Sequence, residues 1–185
     1  MADSPALPHH PLRLTDLSER RPTAFSLAPD ATGRAAIAEA LGLDGLRKLA
    51  FTGEISFAAA GAWVLDGRLG ATVVQPCVVT LAPVATRIDV DVRRRFVADL
   101  PEPREDEAEM PEDDTLEPLG AAIDPAAVMI EALALNLPLY PRAQDAGLGE
   151  AVFAGPGVTP LRDEDAKPFA GLAGRLADKP GREDD

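Results

Sequence analysis

Few residues in this chain have side chains that could act as a nucleophile, a general base or a metal ligand. The 185 residues include one cysteine, Cys77, and two histidines, His9 and His10. Structural zinc takes four ligands, mostly cysteine and histidine, so we expect no metal site and no cofactor.

Both histidines fall in residues 1–10, which we interpret as a disordered leader beyond the fold. A histidine-dependent triad is therefore not expected, and the chain has no G-x-S-x-G elbow and no phosphate-binding loop. We expect a protein that is not an enzyme.

Cys77 lies in the stretch QPCVVTLAPV and has three possible roles: a reactive thiol, half of a metal site, or a small apolar residue in a strand. Residues 69–86 around it contain no charged side chain that could lower the pKa of the thiol. Alternation places Cys77 on the same face as Val73 and Val79. We therefore predict a buried, unreactive cysteine within a strand.

Four arginines are the second possible source of chemistry. Arg93, Arg94 and Arg95 are consecutive, and alternation puts Arg93 and Arg95 on the same polar strand face as Arg87. Such a cluster can bind the phosphates of a nucleic acid. It can equally form a solvated sheet edge whose charges discourage edge pairing. Both interpretations stay open.

The negative charge of the chain is concentrated in one segment. The net charge is -13, yet residues 1–100 hold 11 basic and 11 acidic side chains. The stretch 102–117, EPREDEAEMPEDDTLE, holds nine acids and one arginine. Its low hydrophobicity and self-repulsion predict a mobile acidic loop over residues 101–117. So acidic a chain disfavours strong non-specific RNA binding and favours a basic partner, and ribosomal proteins are the abundant basic proteins of a bacterial cell.

The elements that must position these residues are mainly strands. Apolar and polar residues alternate over three successive runs between residues 46 and 97, which predicts an antiparallel meander with one buried face. The pieces LRLTDL and TAFSLAPD predict edge strands. Asp66-Gly67, inside the second run, is either a hairpin turn or a kink in one long strand. The uncharged stretch 69–86 is long enough for a membrane helix, but its prolines and its alternation favour a strand.

Two helices are predicted to cover the sheet. The longer spans residues 124–136 and begins at Asp124, a suitable N-cap. The shorter spans residues 33–42 and ends at Gly42. The fold class is therefore α+β: an antiparallel sheet covered by one long and one or two short helices, with the acidic loop between sheet and long helix.

The order of these features resembles the YceD family, whose bacterial members are described as large ribosomal RNA subunit accumulation proteins. The resemblance is carried by GAWVLDGRLGATVVQPCVVTLAPV, a strand ending near RRRF, an acidic loop, IDPAAVMIEALALNLPLYPR and a late PFAGLAGRL. It spans a single domain over residues 11–176 and leaves 177–185 as a charged tail. It implies a cytoplasmic, non-enzymatic ribosome-biogenesis factor that supports the synthesis, processing or stability of large-subunit ribosomal RNA.

The partner implied by the resemblance is large-subunit ribosomal RNA or a basic ribosomal protein, with no membrane and no small-molecule substrate. An acidic protein-interaction module unrelated to ribosomal RNA is the alternative. Many members read C-x-x-C-L-E-P-V where this chain has Thr80 for the second cysteine and Ala82 for the glutamate, so a metal site is not carried over. The positions that do carry over, as structural ones, are Cys77, Leu81, Pro83, Val84, Asp124, Glu131, Leu135 and Pro138.

Overall fold

The computed structural model of the protein describes residues 6–98 and 115–147. Its elements, in chain order, are β1 (Leu12–Arg13), β2 (Thr23–Leu27), α1 (Ala31–Ala40), β3 (Gly45–Phe57), β4 (Trp63–Pro76), β5 (Pro83–Val97), β6 (Leu116–Pro118), β7 (Ala122–Ile123) and α2 (Pro125–Leu135). Residues 101–114 of the predicted acidic loop, the segment PFAGLAGRL and the tail 177–185 lie outside the described residues. The predicted domain limit at residue 176 therefore stays a prediction.

Five strands form one sheet in the order β2-β3-β4-β5-β6. The first three pairings are antiparallel, and only β5 and β6 run parallel. β1 and β7 form a separate antiparallel pair. The α+β class and the antiparallel meander over residues 46–97 are thus confirmed. The parallel β6 was not predicted, because three residues are too short to show a period.

Asp66-Gly67 lies inside one long strand and not in a hairpin turn. β4 runs unbroken from Trp63 to Pro76, and Gly67 pairs with Gly53 on β3 and with Val92 on β5. A Cβ added at Gly67 would lie 2.7 Å from Cε2 of Phe51. Glycine is required here because an aromatic ring lies directly over the strand, and this resolves the alternative that the sequence left open.

Both helices bury their apolar side chains in one hydrophobic core with the sheet. α2 contributes Val128, Met129, Ala132 and Leu133, and α1 contributes Ile37 and Ala38. Asp124 caps α2 by accepting hydrogen bonds from two backbone N–H groups of its first turn, as predicted. α1 begins two residues earlier than predicted, at Ala31, and the left-handed backbone of Gly42 follows its end.

Within the described residues no helix is long and apolar enough to cross a membrane. The uncharged stretch 69–86 forms the second half of β4, a turn and the start of β5. The prediction of strand rather than helix is confirmed for residues 69–76 and 83–86, while residues 77–82 form a turn.

We predict that Gly67→Ala lowers the free energy of unfolding by about 1–3 kcal/mol, the usual cost of overpacking a core. The new methyl group meets the fully buried ring of Phe51, which has no space to move into. Urea unfolding followed by the fluorescence of Trp63, the only tryptophan, measures the change. Gly120→Ala is the matched control, since the nearest heavy atom to its new Cβ is 3.8 Å away. Equal stability of the two variants would contradict the proposed role of the ring.

Candidate functional site

Arg94 lies on the covered face of β5, apart from its two neighbouring arginines. Its side chain is only 15% exposed. Its Nε atom lies 3.0 Å from Oε1 of Glu117 in β6, and its Nη2 donates a hydrogen bond of 3.0 Å to Oε1 of Glu131 in α2. One guanidinium therefore ties β6 and α2 to β5.

The positive charge of Arg94 offsets the repulsion between the carboxylates of Glu117 and Glu131. Burial raises the pKa of Glu117, the nearby Glu131 raises it further, and Arg94 opposes both effects. Without the guanidinium, the partly buried Glu117 and the exposed Glu131 would repel each other. Arg94 and Glu131 thus have a structural role, which agrees with the place of Glu131 among the motif positions carried over from the resemblance.

Arg87 lies on the open face of the sheet and is already paired. Its Nε and Nη2 atoms donate hydrogen bonds of 2.7 and 2.6 Å to the two carboxylate oxygens of Asp89. This contact lowers the pKa of Asp89 and raises that of Arg87. The guanidinium lies over Gly70, where a Cβ would come within 2.5 Å of its Nη2 atom. A larger side chain at position 70 would therefore displace the guanidinium from this place on the strand.

Two more arginines on the open face each lie near an aspartate of the adjacent strand. Arg93 Nε lies 3.6 Å from Asp66, and Arg68 Nη1 lies 3.8 Å from Asp91. Pairs as exposed as these contribute little to stability, but they do cancel local charge. Arg95 is half-buried, and its Nε atom has no hydrogen-bond partner among the described residues.

The four predicted arginines therefore do not form one basic surface. Three of them lie along the open face, and in two of these an aspartate faces the guanidinium. The fourth, Arg94, holds the helix on the opposite face. Spacing alone could assign faces but could not show that the acids between the arginines would neutralise them.

Cys77 is fully buried, as predicted, but it does not lie in a strand. β4 ends at Pro76, and residues 77–82 form the turn that leads into β5. The prediction of a strand through Val79 and Leu81 is wrong: the left-handed φ of 59° at Leu81 leaves its side chain 77% exposed. Two prolines that face each other, Pro76 and Pro83, close the pairing of the two strands.

The sulfur of Cys77 accepts several hydrogen bonds. The backbone N–H groups of Val79, Thr80 and Ala143 each lie 3.4 Å from Sγ. Together with the side chain of Thr80, which has the largest effect, these donors lower the pKa of the thiol to about 6. The absence of basic neighbours had predicted an unreactive thiol, and that reasoning missed donors that carry no charge.

The same turn is joined to the segment that follows α2. Val78 donates a backbone hydrogen bond of 2.9 Å to the carbonyl of Pro141, and the side chain of Gln75 donates one of 3.3 Å to the carbonyl of Pro138. Pro138 thus serves as an acceptor as well as following the helix. The cysteine turn and the L-P segment, which are far apart in the sequence, are neighbours in the fold.

The histidines do not lie beyond the fold, contrary to expectation. The backbone N–H of His10 donates a hydrogen bond of 3.0 Å to Oδ1 of Asp124, and Nδ1 of His9 lies 3.1 Å from Oδ2. Leu7 packs against the core. No local pattern could have shown this docking, because more than 110 residues separate the partners. Among residues 6–98 and 115–147, no group of three or more His, Cys, Asp or Glu side chains is placed to hold a metal ion.

A comparison with protein families gives one match. The family model described as "Large ribosomal RNA subunit accumulation protein YceD" matches residues 65–174, which is more than half of the chain. The match begins within β4 and includes the cysteine turn, β5, Arg94 and α2. No curated protein and no solved structure matches the chain.

We predict that Arg94→Leu destabilises the fold by about 2 kcal/mol near neutral pH, because it leaves two carboxylates unpaired at a half-buried site. The loss should be smaller near pH 5. Because the pKa of Glu117 is raised in the folded state, protonation of Glu117 stabilises the fold. This contribution is complete below the pKa of the unfolded chain and disappears as the pH rises through the folded pKa. Urea unfolding at both pH values measures the two losses.

Arg93→Leu is the control for this experiment, since the side chain of Arg93 is 68% exposed and faces a single aspartate at 3.6 Å. It should change stability by less than about 0.5 kcal/mol at either pH. A similar loss in both variants would argue against a tie through Arg94.

We predict that Thr80→Val raises the pKa of Cys77, since it removes the side-chain donor that lowers this pKa most. The ultraviolet absorbance of the thiolate, followed against pH in the native protein, should give an apparent pKa of about 6 for the wild type. Thr72→Val, on the open face of β4, should leave it unchanged. A wild-type pKa at or above the ordinary thiol value of 9.0 would contradict the assignment.

Proposed function

The chain belongs to the YceD family, and on that premise we propose that it is a non-enzymatic cytoplasmic factor that supports the synthesis, processing or stability of large-subunit ribosomal RNA. The family description names the accumulation of this RNA as the role of its members. We further propose that the protein acts by holding a basic ribosomal protein through the acidic segment 102–117.

The distribution of charge supports the holding mode. Basic and acidic side chains nearly balance over the described residues, so most of the net charge of -13 lies elsewhere in the chain. The segment 102–117 alone contributes nine acids against one arginine. A dense run of carboxylates attracts a basic polypeptide strongly at low salt and only weakly at high salt. Such a partner would be released when the phosphates of ribosomal RNA compete for it.

Direct RNA binding through the arginines is the second candidate, and the open sheet face is the surface that favours it. A phosphate that binds there must compete with aspartates already in place. Arg87 would have to give up a bidentate pair, and Arg93 would have to leave Asp66. Each exchange reduces the net gain from a phosphate contact. The ion pairs therefore weigh against this mode as the main source of affinity.

We predict that neutralising six acids of the acidic segment abolishes capture of basic ribosomal proteins. The variant changes Glu105, Asp106, Glu107, Glu112, Asp113 and Asp114 to their amides. The probe is a mixture of large-subunit ribosomal proteins freed of RNA, and capture by the immobilised full chain is measured at low and high salt. The amides preserve size, so a loss of capture reports charge.

The control for this experiment changes six acids near the end of the chain in the same way: Asp163, Glu164, Asp165, Glu183, Asp184 and Asp185. Its net charge equals that of the test variant, so preserved capture would show that the position of the acids matters. Undiminished capture by the test variant would exclude the holding mode.

One further measurement distinguishes direct RNA binding from the holding of a basic protein. Arg87→Ala/Arg93→Ala/Arg95→Ala leaves Arg94 in place, so the fold is retained. If the arginines bind RNA, this variant binds large-subunit ribosomal RNA more weakly and with a lower salt dependence. If the protein instead holds a basic protein, the RNA affinity of this variant and its salt dependence should equal those of the wild type. In cells that lack the protein, unaltered levels of precursor and mature large-subunit RNA would favour the unrelated interaction module instead.

A further inference from the structure

Among the described residues, the outer edge of β5 is unpaired over most of its length. β4 pairs with β5 from Pro83 to Phe96, whereas β6 covers the other side only at Arg95–Val97. Over Pro83–Arg94, no described strand pairs with this edge. Such a long row of free backbone groups can accept another strand.

The direction of the free groups follows from the hydrogen bonds at the covered end. The N–H of Arg95 reaches Thr115, and the carbonyl of Val97 accepts from Leu119. Odd-numbered residues of β5 therefore point their backbone groups outward, and even-numbered ones point theirs at β4. The outward groups belong to Ala85, Arg87, Asp89, Asp91 and Arg93.

From this edge we propose that β5 pairs antiparallel with β5 of a second copy of the chain, about a two-fold axis at Ile88. This register uses the whole open length and stops where β6 begins, because Arg93 lies opposite Pro83 of the other copy. Proline has no N–H to donate, and the carbonyl of Arg93 is already bonded to Nη1 of Arg94 at 3.0 Å. The pair at each end thus leaves no acceptor unsatisfied.

Charge complementarity selects this register. With the axis at Ile88, each Arg87–Asp89 pair lies beside the same pair of the other copy in reverse order. Each Arg87 keeps its own Asp89 and also faces an Asp89 of the other copy, and this contact occurs twice. An axis at Arg87 or at Asp89 would place that residue opposite its own charge. An axis at Val90 would place Arg87 opposite Arg93. Cross-strand charge pairs favour or oppose a register by fractions of a kcal/mol each.

The covered face of the sheet favours the same arrangement. Val84, Thr86 and Val90 lie at the margin of the core and are only half-buried. Pairing about Ile88 sets Thr86 against Val90 of the other copy and Val84 against Val92. The apolar face of one sheet then continues into the other, and the exposed margin becomes interior.

The test uses two full-length charge variants, Arg87→Asp and Asp89→Arg, studied alone and mixed. The wild type should form a dimer that dissociates on dilution, measured by sedimentation equilibrium. Either variant alone places like charges opposite each other twice and should raise the dissociation constant about tenfold or more. Mixed in equal amounts, one variant presents only carboxylates and the other only guanidinium groups at these positions, so a heterodimer should form.

Arg20→Asp, an exposed change of the same charge before β2, is the control and should dimerise like the wild type. A wild type that stays monomeric up to about 1 mM would overturn the proposal. So would a dimer that neither charge variant weakens, which would place the interface elsewhere. Failure of the mixture to associate would overturn the register at Ile88. Circular dichroism of each variant establishes that a lost dimer does not reflect a lost fold.

Discussion

The guanidinium of Arg94 is the charge around which the covered side of this domain is organised. It extends from a strand whose neighbours on that face, Val92 and Phe96, are buried. A charge so nearly out of water is stable only if it is paired and hydrogen-bonded. Glu117 and Glu131 meet this need from β6 and from α2. The position of the long helix is therefore fixed by an electrostatic requirement as well as by apolar packing.

The sequence predicted the parts of the fold whose signal is local. Alternation identified the three long strands, and Asp124 marked the start of α2, because a strand period and an N-cap depend on neighbouring residues alone. A glycine in a strand pattern has two possible explanations. Gly67 could mark a turn, or it could mark a place where an aromatic ring lies close to the backbone. Only the position of Phe51, fixed by the pairing of β3 with β4, decides between them.

The candidate site was harder to predict because its decisive contacts are distant in sequence. The sulfur of Cys77 accepts a hydrogen bond from Ala143, 66 residues later, and His9 reaches Asp124 across 115. The arginines illustrate a second limit. Spacing assigned Arg87, Arg93 and Arg95 to one face correctly, yet it could not show which carboxylates would be within reach. Function depends on that difference, since a paired arginine and a free one offer a phosphate very different gains.

The environment of Cys77 shows how neutral donors act on a buried thiol. The backbone N–H and the side chain of Thr80 both donate to its sulfur. A thiolate held by such donors needs no metal to be stable in a buried site. The turn also keeps its link to the segment after α2 through Val78 and Pro141. Hydrogen bonds to one sulfur, together with this backbone contact, therefore join the turn after β4 to the segment after α2, although Cys77 and Ala143 are 66 residues apart in the sequence.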